Sequence, residues 1–186
     1  RQLLLNGGDK VHLSKNPVMS GWVDALIETF PDARIVVMMR NPTECIPSCL
    51  KLVQVTWRGK GWQPEEYAHS LELLTEISFE HFENPRRVLA RHPQTPQIIV
   101  DYRKLTTEPR ETVHAVYKAL DIGMSEQFDS WLQAQAEREK KHHSKFEYSL
   151  GEFHLRSDDI YARLEDFYRL YQWPTPDTQQ EEHAHG

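Results

Sequence analysis

The feature that most constrains the fold is a short, wholly apolar segment, residues 35–39, that runs directly into a helix-start signal. A short run of consecutive apolar residues is typical of a strand inside a parallel sheet, covered on both faces. Asn41, Pro42 and Glu44 then fit the N-cap, first and third positions of a helix, where the missing N–H of proline costs nothing. The pattern predicts a buried strand followed by a helix, a junction where α/β proteins often bind phosphate.

Two polar side chains border this junction. Arg40 lies at the carboxyl end of the predicted strand, and Ser48 lies about two turns into the predicted helix. The guanidinium and the hydroxyl can therefore converge near the positive end of the helix, where backbone amides also favour an anion. The alternative is an arginine in a salt bridge at a strand end and a serine on a solvated helix face.

Alternating strand and helix signals continue along the chain. Residues 11–14 predict the end of a strand, and Ser20 can cap a helix that ends before Pro31. In the helix from Pro42, Pro47 removes one backbone hydrogen bond and is expected to interrupt and kink the helix.

Later segments follow the same pattern. A long helical stretch starts at Pro64, and residues 97–100 form a second apolar strand that precedes a helix near residues 108–120. Ser125 can cap a further helix, and Ser157 can start the last one. Strands joined by helices of these lengths predict right-handed βαβ crossovers.

In such a sheet, ligands lie outside the carboxyl ends of the strands. Lys15, Arg40 and Tyr102 all occupy predicted strand ends, so we expect them to line one pocket. The alternatives are a solvated lysine at position 15 and, at position 102, a rim tyrosine that packs on the next helix.

Composition limits the functional classes. A chain of 186 residues with 39% apolar and 27% charged content is ordinary for one globular domain. The net charge of −6 argues against nonspecific nucleic-acid binding. Cys45 and Cys49 lie four residues apart on one predicted helix, where packing is a simpler role than a disulfide or a metal site. No apolar run reaches about 18 residues, so the sequence predicts neither a membrane span nor a signal peptide.

Four segments resemble one family in colinear order. Residues 30–50 resemble the 3′-phosphate-binding region of sulfotransferases that use 3′-phosphoadenosine 5′-phosphosulfate (PAPS), and residues 13–17 resemble their Lys-x-Pro element. Residues 100–105 resemble the Tyr-x-x-Leu strand, and residues 148–150 resemble a Tyr-Ser-Leu segment common in the bacterial-type branch. The resemblance spans roughly residues 11–171.

The resemblance implies a P-loop NTPase-like, three-layer α/β/α fold with a mainly parallel sheet. The sulfotransferase-like domain would cover residues 1–173, and residues 174–186 would be a disordered tail. The implied reaction transfers a sulfuryl group from PAPS to a hydroxyl or amine of a small molecule, a carbohydrate or another acceptor. It implies no metal, and we expect a cytoplasmic protein without nucleic-acid or membrane partners.

The resemblance also assigns residues. Arg40 and Ser48 would hold the 3′-phosphate, Tyr102 would lie near the adenosine, and Lys15 would be the catalytic lysine beside the phosphosulfate. Lys145, in the basic run 138–145, would close over the 3′-phosphate, although most basic runs are solvated helix ends.

The sequence departs from the family in two places. No Gly/Ser/Thr-rich phosphosulfate loop precedes residue 15, and the chain starts at Arg1, so we interpret it as a fragment without the first strand and that loop. The rival interpretation is a natural protein that has lost catalysis, a noncatalytic nucleotide-binding or interaction module. No histidine follows Pro17, so the general base stays unassigned. The loop 57–62 could cover the acceptor or pack on the following helix.

Overall fold

A computed structural model describes residues 11–139 and 149–176. Two strands lie among seven α-helices in these residues. In chain order the elements are α1 Val23–Thr29, β1 Ile35–Met39, α2 Pro42–Gly59, α3 Pro64–Arg91, β2 Gln97–Asp101, α4 Tyr102–Thr107, α5 Pro109–Ala119, α6 Glu126–Glu139 and α7 Ser157–Tyr171. Short 3₁₀ turns cover Pro17–Trp22 and Gly151–Phe153.

The two strands pair in parallel. Ile35 lies opposite Gln97, and Met39 lies opposite Asp101. The strands therefore end side by side, and the residues that follow them, Arg40 and Tyr102, leave the sheet at the same edge. The predicted α/β fold with a parallel sheet is confirmed.

One face of β1 is covered and the other is not. Val37 and Met39 are 9% and 2% exposed, whereas Val36 and Met38 are 40% and 46% exposed. Side chains alternate between the faces of a strand, so the covered face is the one that carries the odd-numbered residues. The expectation that β1 is covered on both faces is wrong for the part of the chain that the structure describes.

The core forms on the covered face of β1, against α1, α2, α3 and α7. Its apolar stripes have the helical spacing seen in the sequence. The buried members are Val23, Ile27, Val37, Met39, Ile46, Leu50, Phe79, Phe82, Val88, Leu89, Ile160, Leu164, Phe167, Tyr168 and Trp173.

The segment before α1 differs from the prediction. Residues 11–16 have no regular secondary structure, and the following residues form a 3₁₀ turn, so the predicted strand at 11–14 is wrong. Asn16 caps that turn by accepting a hydrogen bond from the backbone N–H of Val18 at 3.1 Å. The helix α1 begins at Val23 rather than at Ser20.

Prolines affect the helices less than expected. Helix α2 runs unbroken through Pro47, and α3 runs through Pro85. Both prolines are fully buried, so packing offsets the hydrogen bond that each ring removes. The backbone leaves the helical region at Glu108, before Pro109, so the helix predicted near residues 108–120 is α5. Helix α4 was not predicted, and it occupies residues that the resemblance placed in a strand.

Two predicted helix starts are confirmed. The Ser125 hydroxyl accepts a hydrogen bond from the Phe128 N–H at 3.2 Å at the start of α6, and α7 begins at Ser157. None of the helices in residues 11–139 and 149–176 is long and apolar enough to cross a membrane. The predicted tail lies largely outside the described residues, so the domain boundaries stay predictions.

Candidate functional site

Arg40 lies where the two strands end. Its Nε donates to Glu44 Oε2 at 2.9 Å, and its guanidinium carbon lies 5.3 Å from the centroid of the Tyr102 ring. The two terminal nitrogens of Arg40 have no hydrogen-bond partner among the described residues, and the side chain is one-third exposed. The parallel pairing of β1 and β2 thus brings Arg40 and Tyr102 together, and leaves the guanidinium donors free for an anion.

Ser48 lies on the same side of α2 as Glu44. Residues four apart on a helix share a face, with an axial separation of about 6 Å. Because Arg40 contacts Glu44, the guanidinium and Ser48 border the same surface. The half-buried Ser48 hydroxyl has no hydrogen bond in the described part of the chain.

The backbone amides at the start of α2 are already used. Asn41 Oδ1 accepts from the Thr43 N–H at 3.1 Å, and the Asn41 carbonyl accepts from Glu44 and Cys45 at 3.0 and 2.9 Å. Pro42 has no N–H to offer. The expectation that these amides favour an anion is therefore not met, and an anion here would depend on the side chains of Arg40 and Ser48.

A hydrogen bond from Tyr168 of α7, called the Tyr168 brace below, stabilises the junction between β1 and α2. The hydroxyl of Tyr168 donates to Asn41 Oδ1 at 3.1 Å, and Thr43 Oγ1 donates to the same oxygen at 2.8 Å. Burial raises the pKa of Tyr168 to about 12. The sequence analysis missed Tyr168, although its position four residues after Leu164 was a signal that it faces the core.

A second brace holds the end of β2. Asp101 caps α4 by accepting from the Arg103 N–H at 3.0 Å, and its carboxylate pairs with the Arg103 guanidinium at 2.7 Å. Burial raises the pKa of Asp101, but the hydrogen bonds from Arg103 outweigh it, and the net pKa lies below the ordinary value. Arg103 also donates to the carbonyls of Tyr171 and Gln172, which ties the end of α7 to the sheet.

The two cysteines form an interacting pair on α2 next to this surface. A hydrogen bond from the Cys45 thiol lowers the pKa of Cys49 to about 7, burial opposes the shift, and the positive charge of Arg40 supports it. The pKa of Cys45 is raised by the same hydrogen bond and by burial. Cys49 is exposed, so it is the more reactive thiol of the two.

The other predicted site residues are not brought to this surface. Lys15 is exposed in the irregular segment 11–16 instead of ending a strand, and no contact among the described residues joins it to Arg40 or Tyr102. Of the three residues expected to line one pocket, the structure brings Arg40 and Tyr102 into contact, and the pocket itself stays a prediction. Lys145 lies outside the described residues.

Of the two tryptophans in the segment 57–62, Trp57 packs on the next helix and Trp62 packs on Trp57. Trp57 stacks on Trp62 with centroids 5.8 Å apart, and it lies 5.6 Å from the ring of Tyr67. Arg58 Nε donates to the hydroxyl of Tyr67 at 2.8 Å. Of the two alternatives for this segment, packing on α3 is the one observed.

Comparison with known proteins identifies the family. Residues 3–126 match the sequence profile of the sulfotransferase family. The fold resembles the crystal structure of the sulfotransferase STF9 from Mycobacterium avium, with a TM-score of 0.68 at 17% sequence identity. The match covers 87% of this chain and 42% of that one, so the chain spans less than half the length of this structural relative. No curated protein sequence matches the chain. The profile match over two thirds of the sequence, together with the fold, shows that the chain belongs to the sulfotransferase family.

Proposed function

We propose that this chain carries the 3′-phosphate-binding part of an enzyme that transfers a sulfuryl group from PAPS to a hydroxyl or amine. The observation that carries the proposal is the position of Arg40. Its guanidinium lies at the shared edge of β1 and β2 and contacts Tyr102 through the ring face, and its terminal nitrogens have no hydrogen-bond partner within residues 11–139 and 149–176. Guanidinium groups with free paired donors suit phosphate oxygens.

The residues present fit the nucleotide. Arg40 and the Ser48 hydroxyl would contact the 3′-phosphate from one face of α2, and the ring of Tyr102 would pack near the adenosine. The braces from Tyr168 and Arg103 would hold this surface in place before the ligand arrives, which lowers the ordering cost of binding.

In the proposed reaction, the acceptor forms a bond to sulfur while the bond from sulfur to the bridging phosphate oxygen breaks and adenosine 3′,5′-bisphosphate leaves. The acceptor gives its proton to a base that we leave unassigned. Lys15 is proposed to stabilise the charge that develops on the leaving phosphate, and Lys145 to contact the 3′-phosphate. The exposed position of Lys15 leaves its ammonium group open to a ligand.

The test is calorimetric titration of the chain with adenosine 3′,5′-bisphosphate. We expect saturable binding that Arg40→Ala weakens by about 1.5–3 kcal/mol, the range for a charged hydrogen bond, or roughly 10- to 150-fold in Kd. Arg169→Ala is the matched control, because Arg169 also pairs with a glutamate four residues away, Glu165, at 2.6 Å. Equal losses in both variants, or no binding by the unaltered chain, would contradict the proposal.

A second variant should change the bisphosphate affinity in the opposite direction. Glu44→Gln keeps a hydrogen-bond acceptor for Arg40 Nε but removes the negative charge beside the proposed phosphate. We expect tighter bisphosphate binding, by at most about 1 kcal/mol, the energy of two unit charges about 4 Å apart in water. A gain in affinity cannot result from misfolding of the variant. In a protein extended upstream to include a phosphosulfate loop, binding without sulfuryl transfer in the presence of PAPS and acceptors would support the noncatalytic alternative.

A further inference from the structure

Two cysteines on α2 lie beside the surface that carries Arg40. Cys45 and Cys49 are four residues apart, so they share a face of the helix, about one turn from each other. They directly follow Glu44 and Ser48, which lie on the side of α2 that Arg40 contacts. Cys49 is exposed, whereas Cys45 is half-buried. A reagent in solvent can therefore reach the Cys49 sulfur next to the Arg40 guanidinium.

The hydrogen bond between the two sulfurs activates Cys49 as a nucleophile. The bond from the Cys45 thiol lowers the pKa of Cys49 to about 7 against the effect of burial, and it raises the pKa of Cys45. A thiol attacks a disulfide fastest when its pKa is close to the ambient pH, because a stronger base is protonated and a weaker base is less nucleophilic. At neutral pH Cys49 meets this condition and Cys45 does not.

Arg40 gives the Cys49 site a preference for negative charge. Its positive charge helps to lower the pKa of Cys49, whereas the negative charge of Glu44 raises the pKa of Cys45. The terminal nitrogens of Arg40 have no hydrogen-bond partner among the described residues, and paired guanidinium donors suit a carboxylate. The next cation on α2, Lys51, pairs with Glu152 at 2.5 Å. Arg40 is therefore the group that an incoming anion would contact.

Helix geometry opposes a disulfide between the two cysteines themselves. The β-carbons of residues four apart on a helix are about 5–6 Å apart, whereas a disulfide needs about 3.5–4.5 Å. Closing that gap would distort α2, in which Ile46, Pro47 and Leu50 are buried. A disulfide between Cys49 and a small thiol requires no such distortion, so we expect it to persist.

We propose that Cys49 is a site of reversible thiolation by small anionic disulfides, with Arg40 as the partner of the incoming carboxylate. The Cys49 thiolate attacks one sulfur of the reagent, and a new S–S bond forms as the bond within the reagent breaks. Cys49 is thereby oxidised, and the other half of the reagent is reduced to a thiolate, which leaves and takes a proton from water. The attached carboxylate then occupies the Arg40 donors. It should compete there with a phosphate, and this consequence alone rests on the proposed function.

The test uses three disulfides of similar size: 3,3′-dithiodipropionate is anionic, 2-hydroxyethyl disulfide is neutral and cystamine is cationic. Each is mixed with the full chain at neutral pH, and the rate of adduct formation is followed by mass spectrometry of the intact protein. We expect one thiol unit to be added to the unaltered protein and to be released by dithiothreitol. Cys49→Ser should form no adduct.

The ratio of the anionic to the cationic rate measures the role of Arg40. The fraction of Cys49 that is thiolate cancels in this ratio, because it is common to all three reagents. Arg40→Gln should lower the ratio roughly 3- to 25-fold, since two unit charges about 4 Å apart in water change each rate up to about fivefold, in opposite directions. The reagents differ in leaving group, but that difference is the same in both proteins.

Two control variants make this result specific. Arg169→Gln removes a paired arginine on α7 and should leave the ratio unchanged. Cys45→Ala removes the hydrogen bond that lowers the pKa of Cys49, so it should slow all three reagents by the same factor and also leave the ratio unchanged. A role of Arg40 in folding alone would change all three rates together.

Several outcomes would overturn the inference: no adduct, an adduct on Cys45, the loss of two hydrogen atoms that marks an internal disulfide, or a ratio that Arg40→Gln leaves unchanged. Titration with adenosine 3′,5′-bisphosphate completes the test. The dithiodipropionate adduct should weaken binding about as much as Arg40→Ala does, and equal binding by the adduct and the unmodified protein would overturn the inference alone. Charge-selective thiolation of a protein that binds no bisphosphate would overturn the proposed function alone.

Discussion

Individual residues at the strand–helix junction have more partners than their sequence positions suggest. Asn41 was predicted as an N-cap, and it is one, but its side-chain oxygen also accepts from Tyr168, far along the chain. The juxtaposition of Arg40 and Tyr102 was predictable, because each follows a strand and parallel strands end at one edge. The burial of Gln54 was not predictable, since only the packing of α2 on α3 shows that its amide is buried. Lys15 was wrongly predicted to end a strand. Apolar and polar residues alternate in residues 11–14, as in a strand, but these residues have no regular secondary structure.

At the residue scale, we predict that Cys49 reacts as a thiolate near neutral pH. With a pKa of about 7 set first by the Cys45 hydrogen bond, about half of Cys49 is thiolate at pH 7, against a few per cent for an ordinary thiol. The alkylation rate with iodoacetamide should therefore rise with a midpoint near pH 7. In Cys45→Ala that midpoint should move toward the ordinary thiol value. An identical pH profile in both proteins would contradict this.

At the scale of helices and strands, apolar spacing predicted most elements, and tertiary packing decided the rest. Helix α2 continues through Pro47 because Ile46, Pro47 and Leu50 are all buried, and a sequence pattern alone cannot show that this burial outweighs a lost hydrogen bond. The division of α4 from α5 follows a local rule about the residue before proline, and was available from the sequence.

The Tyr168 brace gives an element-scale prediction. Tyr168→Phe keeps the ring in the core but removes the hydrogen bond to Asn41, so unfolding free energy should fall by about 1 kcal/mol. The raised pKa of Tyr168 adds a pH dependence: the folded state prefers the neutral phenol, so its contribution is complete below about pH 10 and is lost as the pH rises through about 12.

Urea denaturation at several pH values checks both statements. Tyr161→Phe is the control, because Tyr161 lies on the same helix and packs on Tyr168, with centroids 5.1 Å apart. Its hydroxyl has no hydrogen bond among the described residues. A loss of the same size in both variants would mean that ring packing, and not the bond to Asn41, stabilises the junction.

The whole molecule is an α/β unit whose described sheet has two strands, each with a partner on one edge only. The class of fold was predictable from alternating apolar segments and helix signals. The exposed face of β1 was not predictable. An apolar segment indicates that a strand is buried, but it does not show whether other elements cover one face or both. The match covers 42% of the Mycobacterium avium sulfotransferase. The exposed sheet is therefore described in a chain shorter than that relative.

At this scale, we predict reversible self-association as protein concentration rises. Unpaired strand edges beside an exposed apolar face attract further strands, and Met38 is 46% exposed on that face. Met38→Lys should shift sedimentation velocity profiles toward the monomer. Leu170→Lys, a change of similar size at an exposed apolar residue on α7, should leave the profiles unchanged. Equal effects of both changes would contradict a role for the sheet.

The open sheet also has a practical consequence for anyone who handles this protein. Salts that strengthen the hydrophobic effect, such as sulfate, should promote its precipitation, and chilling should dissolve the precipitate again, because hydrophobic attraction weakens in the cold. Storage in dilute solution at low temperature is therefore the condition under which the nucleotide titrations should be most reproducible.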